Sequence, residues 1–327
     1  MKRILKYIYI LALIILCDSC SGEEPVSSES VLDTETPALS ELDIWIRENF
    51  VAPYNIDILY KWDDNQVDLN KYLYPPTLEN VRPLLDVVLE VWMKPYNEIA
   101  GEDFIKNIAP RQLILVGGYN VNESGTITLG FAEQGLKIAL FNVDQLDLSD
   151  LEDTQQYFHT IQHEYCHILN QTKPYDPSYA KITPSGYTSQ WFGNGSSYSL
   201  RTALKKGYIS RYARANDFED FAEMVSAMLI MSREEFDNQV NLLVNVINGQ
   251  LEELEEDADD DASVQSDIND LKIELEEAKK GVAILRQKEA FVVDYFKSEW
   301  DIDIYELQQK TTTAMKDIVT NHKTAGK

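Results

Sequence analysis

The sequence predicts an α+β fold, a small N-terminal sheet followed by a long helical region, and three observations carry that expectation. Residues 112–141 hold three short β-like runs separated by turn residues, at 112–116, 126–131 and 136–141. Residues 77–98 set Val81, Leu84, Leu85, Val88, Leu89 and Trp92 at helical spacing. Finally, His163-Glu164-Tyr165-Cys166-His167 is written into a helical run over residues 149–170, where residues four apart leave the same face of the helix.

The N-terminus carries Lys2, Arg3 and Lys6 ahead of an apolar run of about ten residues, too short for a membrane span and placed like a secretion signal. A bacterial lipoprotein signal needs a small residue just before the lipidated cysteine. Ser19 precedes Cys20, whereas Leu16 precedes Cys17, so Cys20 is the expected lipidation site. Residues 21–40 are rich in Ser, Glu, Thr and Pro with little to bury, the composition of a disordered tether. Of the three cysteines Cys166 then remains in the mature region, no intramolecular disulfide can form, and the core must hold the fold. A formal charge of −26 argues against nucleic acid and against a polybasic membrane contact.

Further along, residues 56–62 alternate in part like a strand, and Pro83 falls in the first turns of the 77–98 helix, where it does least damage. Ser149 followed by Glu152 suggests a capping box at the start of the histidine helix. Residues 171–196 read as a loop carrying Tyr175, Tyr179, Tyr187, Trp191 and Phe192, either as a wall of a cleft or as packing beneath the loop. A short helix over 197–206 should stop at Gly207, and Phe218, Phe221, Val225 and Met228 mark the apolar positions of a helix from residue 216. Two helices, 232–256 and 262–280, flank the acidic run 257–261, with Leu251, Leu254, Ile268, Leu271 and Leu275 as a hairpin seam. Asp257, Asp259 and Asp261 resemble the start of a calcium loop, but the turn position is Ala262 and the bidentate position Ile268, so a solvated turn is expected. Residues 290–296 return apolar side chains at helical spacing and should pack on the main body.

The chemistry concentrates on the histidine helix. His163 and His167 can bridge one zinc ion, leaving a position for water, and Glu164 is placed to take its proton. His159 extends the row, but it lies roughly 12 Å from His167 along a helix rising 1.5 Å per residue, so the two cannot share one tetrahedral ion. A metzincin continuation is excluded by Asn170 and Lys173, and the one later histidine is His322 near the terminus. The third ligand is therefore expected to be a carboxylate on a second helix, and Glu219 and Glu223, one turn apart, are the candidates.

Tyr212-x-Arg214-x-Asn216-x-x-Glu219-x-Phe221-Ala222, continuing to Glu223, resembles the second-helix motif of the lethal-factor-type gluzincins. That resemblance implies Glu219 as third ligand, Glu223 as the carboxylate orienting a ligand histidine, and Tyr212 as the hydroxyl that stabilises a tetrahedral oxyanion. The acidic Ser21-Gly22-Glu23-Glu24 is similar to the export signal of surface-displayed lipoproteins of Bacteroidota. Together with His-Glu-Tyr-Cys-His-Ile-Leu-Asn-Gln, it makes the chain similar to the substrate import-associated zinc metallohydrolase lipoproteins of that phylum, also called putative zinc-binding metallopeptidases. The resemblance implies a zincin-like fold, Zn2+ as cofactor, a peptide or protein substrate, an outer-membrane importer as partner, and a lipid anchor displaying the protein at the cell surface. The expected organisation is a signal peptide over 1–20, a tether over 21–40, a catalytic domain over 41–245, an acidic helical hairpin over 246–284 and C-terminal helices over 285–327. The competing expectation is a non-catalytic surface binding lipoprotein, which would have no need of Glu164.

Overall fold

The computed structural model describes residues 38–61, 71–121, 127–128, 130–133, 137–256 and 262–325. Leu42–Lys327 forms one compact unit. Cys20 and the expected signal over 1–20 lie outside the described residues, as do most of the tether and the acidic run 257–261. Among the described residues no helix is long and apolar enough to cross a membrane.

The chain enters through α1 (Glu41–Ile46), a π-helical turn (Arg47–Val51) and α2 (Ala52–Tyr54), and then forms β1 (Asp57–Leu59). Next come α3 (Leu78–Val87), a π-helical turn (Val88–Met93) and α4 (Lys94–Ala100), one nearly continuous helix where the sequence predicts it. Pro95 is the second residue after that π-helical turn. A proline cannot donate to the carbonyl four residues back, and just before it Lys94 N–H bonds Leu89 O, one residue further back than in an α-helix. Asp144 anchors the start of α3 from afar, accepting from Thr77 N (2.8 Å) and Asn80 Nδ2 (3.0 Å).

After α5 (Phe104–Ile108) the sheet is built from β2 (Gln112–Leu115), β5 (Gly130–Glu133) and β6 (Lys137–Leu140), while β3 (Asn120–Val121) and β4 (Ile127–Thr128) pair antiparallel in a separate ribbon. Strand order is β1-β2-β6-β5: β1 and β6 run parallel to β2, with Ile58 opposite Leu113 and Leu113 opposite Ile138, and β5 closes the edge antiparallel to β6. The expected middle run, 126–131, is thus divided between two sheets. Leu113, Leu115, Ile138 and Leu140 face the main core, and Ile114, Val116, Ala139 and Phe141 form a second apolar cluster. Apolar burial on both faces suits a mostly parallel sheet better than the one-sided alternation of an exposed one.

The sheet leads into α6 (Leu151–Thr172), the histidine helix. Its cap is Asp150, whose carboxylate accepts from Glu152 N (2.8 Å) and Asp153 N (3.0 Å), and not Ser149. Ser149 is engaged instead by Asp147, to which its hydroxyl donates at 2.7 Å. The back of α6 is held by aromatics: Tyr165 lies edge-on to Trp92 (5.0 Å between centroids) and to Tyr96 (5.1 Å), and Tyr96 OH donates to Gln162.

Helix α7 (Leu200–Lys205) is capped by Ser199 and followed by Gly207 at φ +78°, the left-handed stop the sequence suggests. Helix α8 (Asp217–Ile230) is capped by Asn216 and buried from Asp220 to its end, as befits a helix packed between others. Phe218, expected on its apolar side, is 58% exposed, because it sits in the first turn before the helix enters the core. α9 (Arg233–Val240) starts on a Ser232/Glu235 capping box. α10 (Leu242–Glu256) and α11 (Ala262–Trp300) form the expected hairpin, with Leu251 and Ile268 buried at the seam. α11 runs unbroken across residue 284, so no break in the chain separates the hairpin from the C-terminal helices. Its second half brings Phe291 and Tyr295 against Phe221, and α12 (Ile304–Ala325) closes the core, Gln308 Nε2 donating to Met228 O at 2.7 Å.

Candidate metal centre

Helix pitch explains how two helices supply one site. On α6, His163 and His167 are one turn apart; on α8, so are Glu219 and Glu223, and the two helices pack with these faces together. His163 Nε2, His167 Nε2 and Glu219 Oε2 form a triangle with edges of 3.1, 2.9 and 3.3 Å. Among the described residues these three side chains are the group with metal-ligating atoms drawn together. A tetrahedral zinc bound at 2.0–2.2 Å would space its ligand atoms by about 3.3 Å, close to what the triangle shows.

The protons point the same way. Glu223 is an ionised acceptor 2.9 Å from His163 Nδ1, so that nitrogen carries the hydrogen and Nε2 is left with a lone pair aimed into the triangle. A carboxylate oxygen and a second imidazole nitrogen face it. Three electron-pair donors at such distances repel unless a cation lies between them, and either a metal or a proton can serve. Without a metal the proton does: burial opposes charge on His163, but its hydrogen bonds to Glu219 and Glu223 outweigh burial and raise its pKa to about 10. Burial likewise pushes the two carboxylates up, yet the histidines hold Glu219 well below the usual carboxylate range and bring Glu223 down to about 2. The donor set therefore fits zinc, with two imidazole nitrogens and one carboxylate facing the centre and a second carboxylate, Glu223, bonded to His163 from behind.

Around the triangle, Glu164 follows His163 on α6 and is buried, and its charge raises the pKa values of both His163 and Tyr212. Tyr212 stacks on the His163 ring (5.6 Å between centroids, 27° between planes). Burial, with Glu219 as hydrogen-bond partner, raises its pKa above the ordinary phenol value, so it stays a hydroxyl able to donate. His159 stands apart from the triangle, its Nε2 lying 3.3 Å from Glu223 and 3.0 Å from Ser226 Oγ. Cys166 is buried beside Asn170, and burial pushes its thiol up, away from the thiolate that binds metals.

The aromatic loop divides between the core and the surroundings of Tyr212. Tyr175 stacks on Phe221 (4.5 Å) and Tyr179 meets the same ring edge-on (5.0 Å), which is core packing. Trp191 meets Tyr212 edge-on at 4.8 Å, and Arg211 ties that part of the loop down by donating to Gly193 O at 3.1 Å. Two participants escape sequence reasoning. Ser210 donates to the second oxygen of Glu223, and Lys288 lies buried against Asp220, the neighbour of Glu219. Neither belongs to a spaced motif, and Lys288 comes from a helix 68 residues further along the chain.

The family described as putative zinc-binding metallo-peptidase matches residues 35–305. A crystal structure of a putative zinc-binding metallo-peptidase from Bacteroides caccae is similar over 89% of this chain and 97% of that one, with 27% identity and a TM-score of 0.64. No curated protein matches. The match spans most of the chain and takes in both helices of the site, and the chain belongs to the putative zinc-binding metallo-peptidase family.

Proposed function

We propose that the protein is a zinc peptidase of the gluzincin type, with His163, His167 and Glu219 as ligands and the lethal-factor-like second helix supplying Glu219 and Glu223. The observation that carries this is the triangle of three convergent lone-pair atoms beside the buried Glu164. Bound zinc supplies a Lewis acid that polarises the scissile carbonyl and eases ionisation of a water. Glu164 takes the proton of that water on its carboxylate and passes it to the leaving amine nitrogen. Tyr212 OH donates to the oxyanion as it develops. Glu223 accepts from His163 Nδ1–H, which keeps Nε2 free to ligate.

The test is zinc stoichiometry on the purified protein together with digestion of an unbiased peptide library. Glu164→Gln should keep zinc and lose about 10²–10⁴ in turnover; Tyr212→Phe should keep zinc and lose about 10²–10³. Unchanged turnover in Glu164→Gln would sink the mechanism, and one equivalent of zinc with no cleavage by the wild type would favour a surface binding protein.

The location belongs to the same proposal and is supported by the sequence alone. The chain is lipidated at Cys20, anchored at the outer membrane facing outward, and works beside a nutrient importer on peptide or protein substrates. Cys20→Ala should move the protein from the membrane to the soluble fraction. If it remains bound while Cys17→Ala is released, the anchor is Cys17.

A further inference from the structure

Behind the metal centre, α11 approaches α7 and the turn after it unusually closely. A Cβ on Gly281 would stand 2.0 Å from Leu204 O, and one on Gly207 would stand 2.3 Å from the Ile284 side chain. Gly281, Ile284 and Lys288 share one face of α11 at i, i+3 and i+7, so this close approach is what delivers the Lys288 ammonium to Gly207. The ammonium donates to Gly207 O at 2.8 Å and to Asp220 Oδ2 at 2.6 Å, and it lies 4.0 Å from the centre of the Tyr208 ring. Tyr187 OH donates to the same Asp220 oxygen at 3.0 Å. Lys288 and Asp220 are both 0% exposed.

The two groups that Lys288 joins belong to the two segments that must be in register for the site. Asp220 is the residue after Glu219 on α8. Gly207 begins the segment that carries Ser210, bonded to Glu223, and Tyr212, stacked on His163. We propose that Lys288 is a positioning residue for the metal centre, a buried clamp that fixes the Tyr212 segment against the ligand helix. It touches neither the metal triangle nor Tyr212, and it acts through Gly207 and Asp220. The inference deepens the peptidase reading and rests on it for the role of Tyr212.

Removing one partner of a buried ion pair strands the other, whereas removing both is often close to neutral for stability. That difference separates positioning from simple stapling of the fold. Lys288→Met should keep one equivalent of zinc and an unchanged KM, lose about tenfold in kcat, the low end of the loss seen when a direct partner of a metal ligand is removed, and expose the amides of residues 208–214 to faster hydrogen exchange. In Lys288→Met/Asp220→Asn the melting temperature should return toward wild type while kcat stays low and exchange over 208–214 stays fast. Recovery of kcat together with the melting temperature, or unchanged exchange in that segment in the double variant, would overturn the proposal. Should Lys288→Met fail to fold, the double variant carries every readout. Should the wild type cleave no peptide, the peptidase reading falls, and exchange over 208–214 still decides the clamp.

Discussion

Helix α8 presents carboxylates on two faces, and they are neutralised in different ways. Toward α11, Asp220 meets Lys288, a counter-charge that is a permanent part of the chain. Toward α6, Glu219 and Glu223 meet imidazoles, which are neutral unless a proton or metal joins them. The first face can be complete as soon as the chain has folded. The second is complete only with a bound cation, so its contribution to stability is linked to metal and to pH.

Breaking the second face at its centre should have the largest effect. Glu219→Ala removes one of the three proposed ligands and should leave the purified protein without stoichiometric zinc and without turnover. A Glu219→Ala protein that still holds one tight zinc, while a His159 substitution loses it, would show that the ligand set is misassigned. Next in size is Glu223→Ala, which leaves all three ligands in place and removes the acceptor behind His163; zinc affinity or turnover should fall about 10–100-fold. Equal losses in the two variants would abolish the distinction between ligand and orienting carboxylate.

The smallest effect, and the one that separates the two faces most cleanly, is the pH dependence of the metal-free protein. His163 is raised from 6.5 to about 10, so its contribution is fully present below pH 6.5 and is lost as pH rises through 10. Glu223 is lowered from 4.5 to about 2, so its contribution is present above pH 4.5 and is lost as pH falls through 2. The thermal stability of the metal-free protein should therefore fall on the alkaline side from about pH 6.5. With saturating zinc that alkaline limb should flatten, since the metal then takes the place of the proton at Nε2. The same alkaline slope with and without zinc would mean that His163 does not carry the proton that holds this face together.

Much of this arrangement was legible without coordinates. The helix pitch alone places His163 over His167 and Glu219 over Glu223, because residues four apart must share a face whatever the helix packs against. The same local rule predicts the long helix over 77–98, the glycine stop at 207 and the hairpin seam at Leu251 and Ile268, all of which the fold contains. It fails at element ends, where neighbours compete. Asp150 caps α6 because Ser149 is taken by Asp147, and Phe218 is exposed because α8 enters the core two residues later, at Asp220.

Side-chain identity and backbone periodicity are both local, and together they give the set of chemically able residues and the face each occupies on its own helix. Which faces meet is a matter of packing between segments. Packing closed the 3 Å triangle from helices more than fifty residues apart and divided the aromatic loop between core and site. It also carried Lys288 across 68 residues to Asp220. Such pairings come from the joint packing of α6, α8 and α11, and no period within a single segment encodes them.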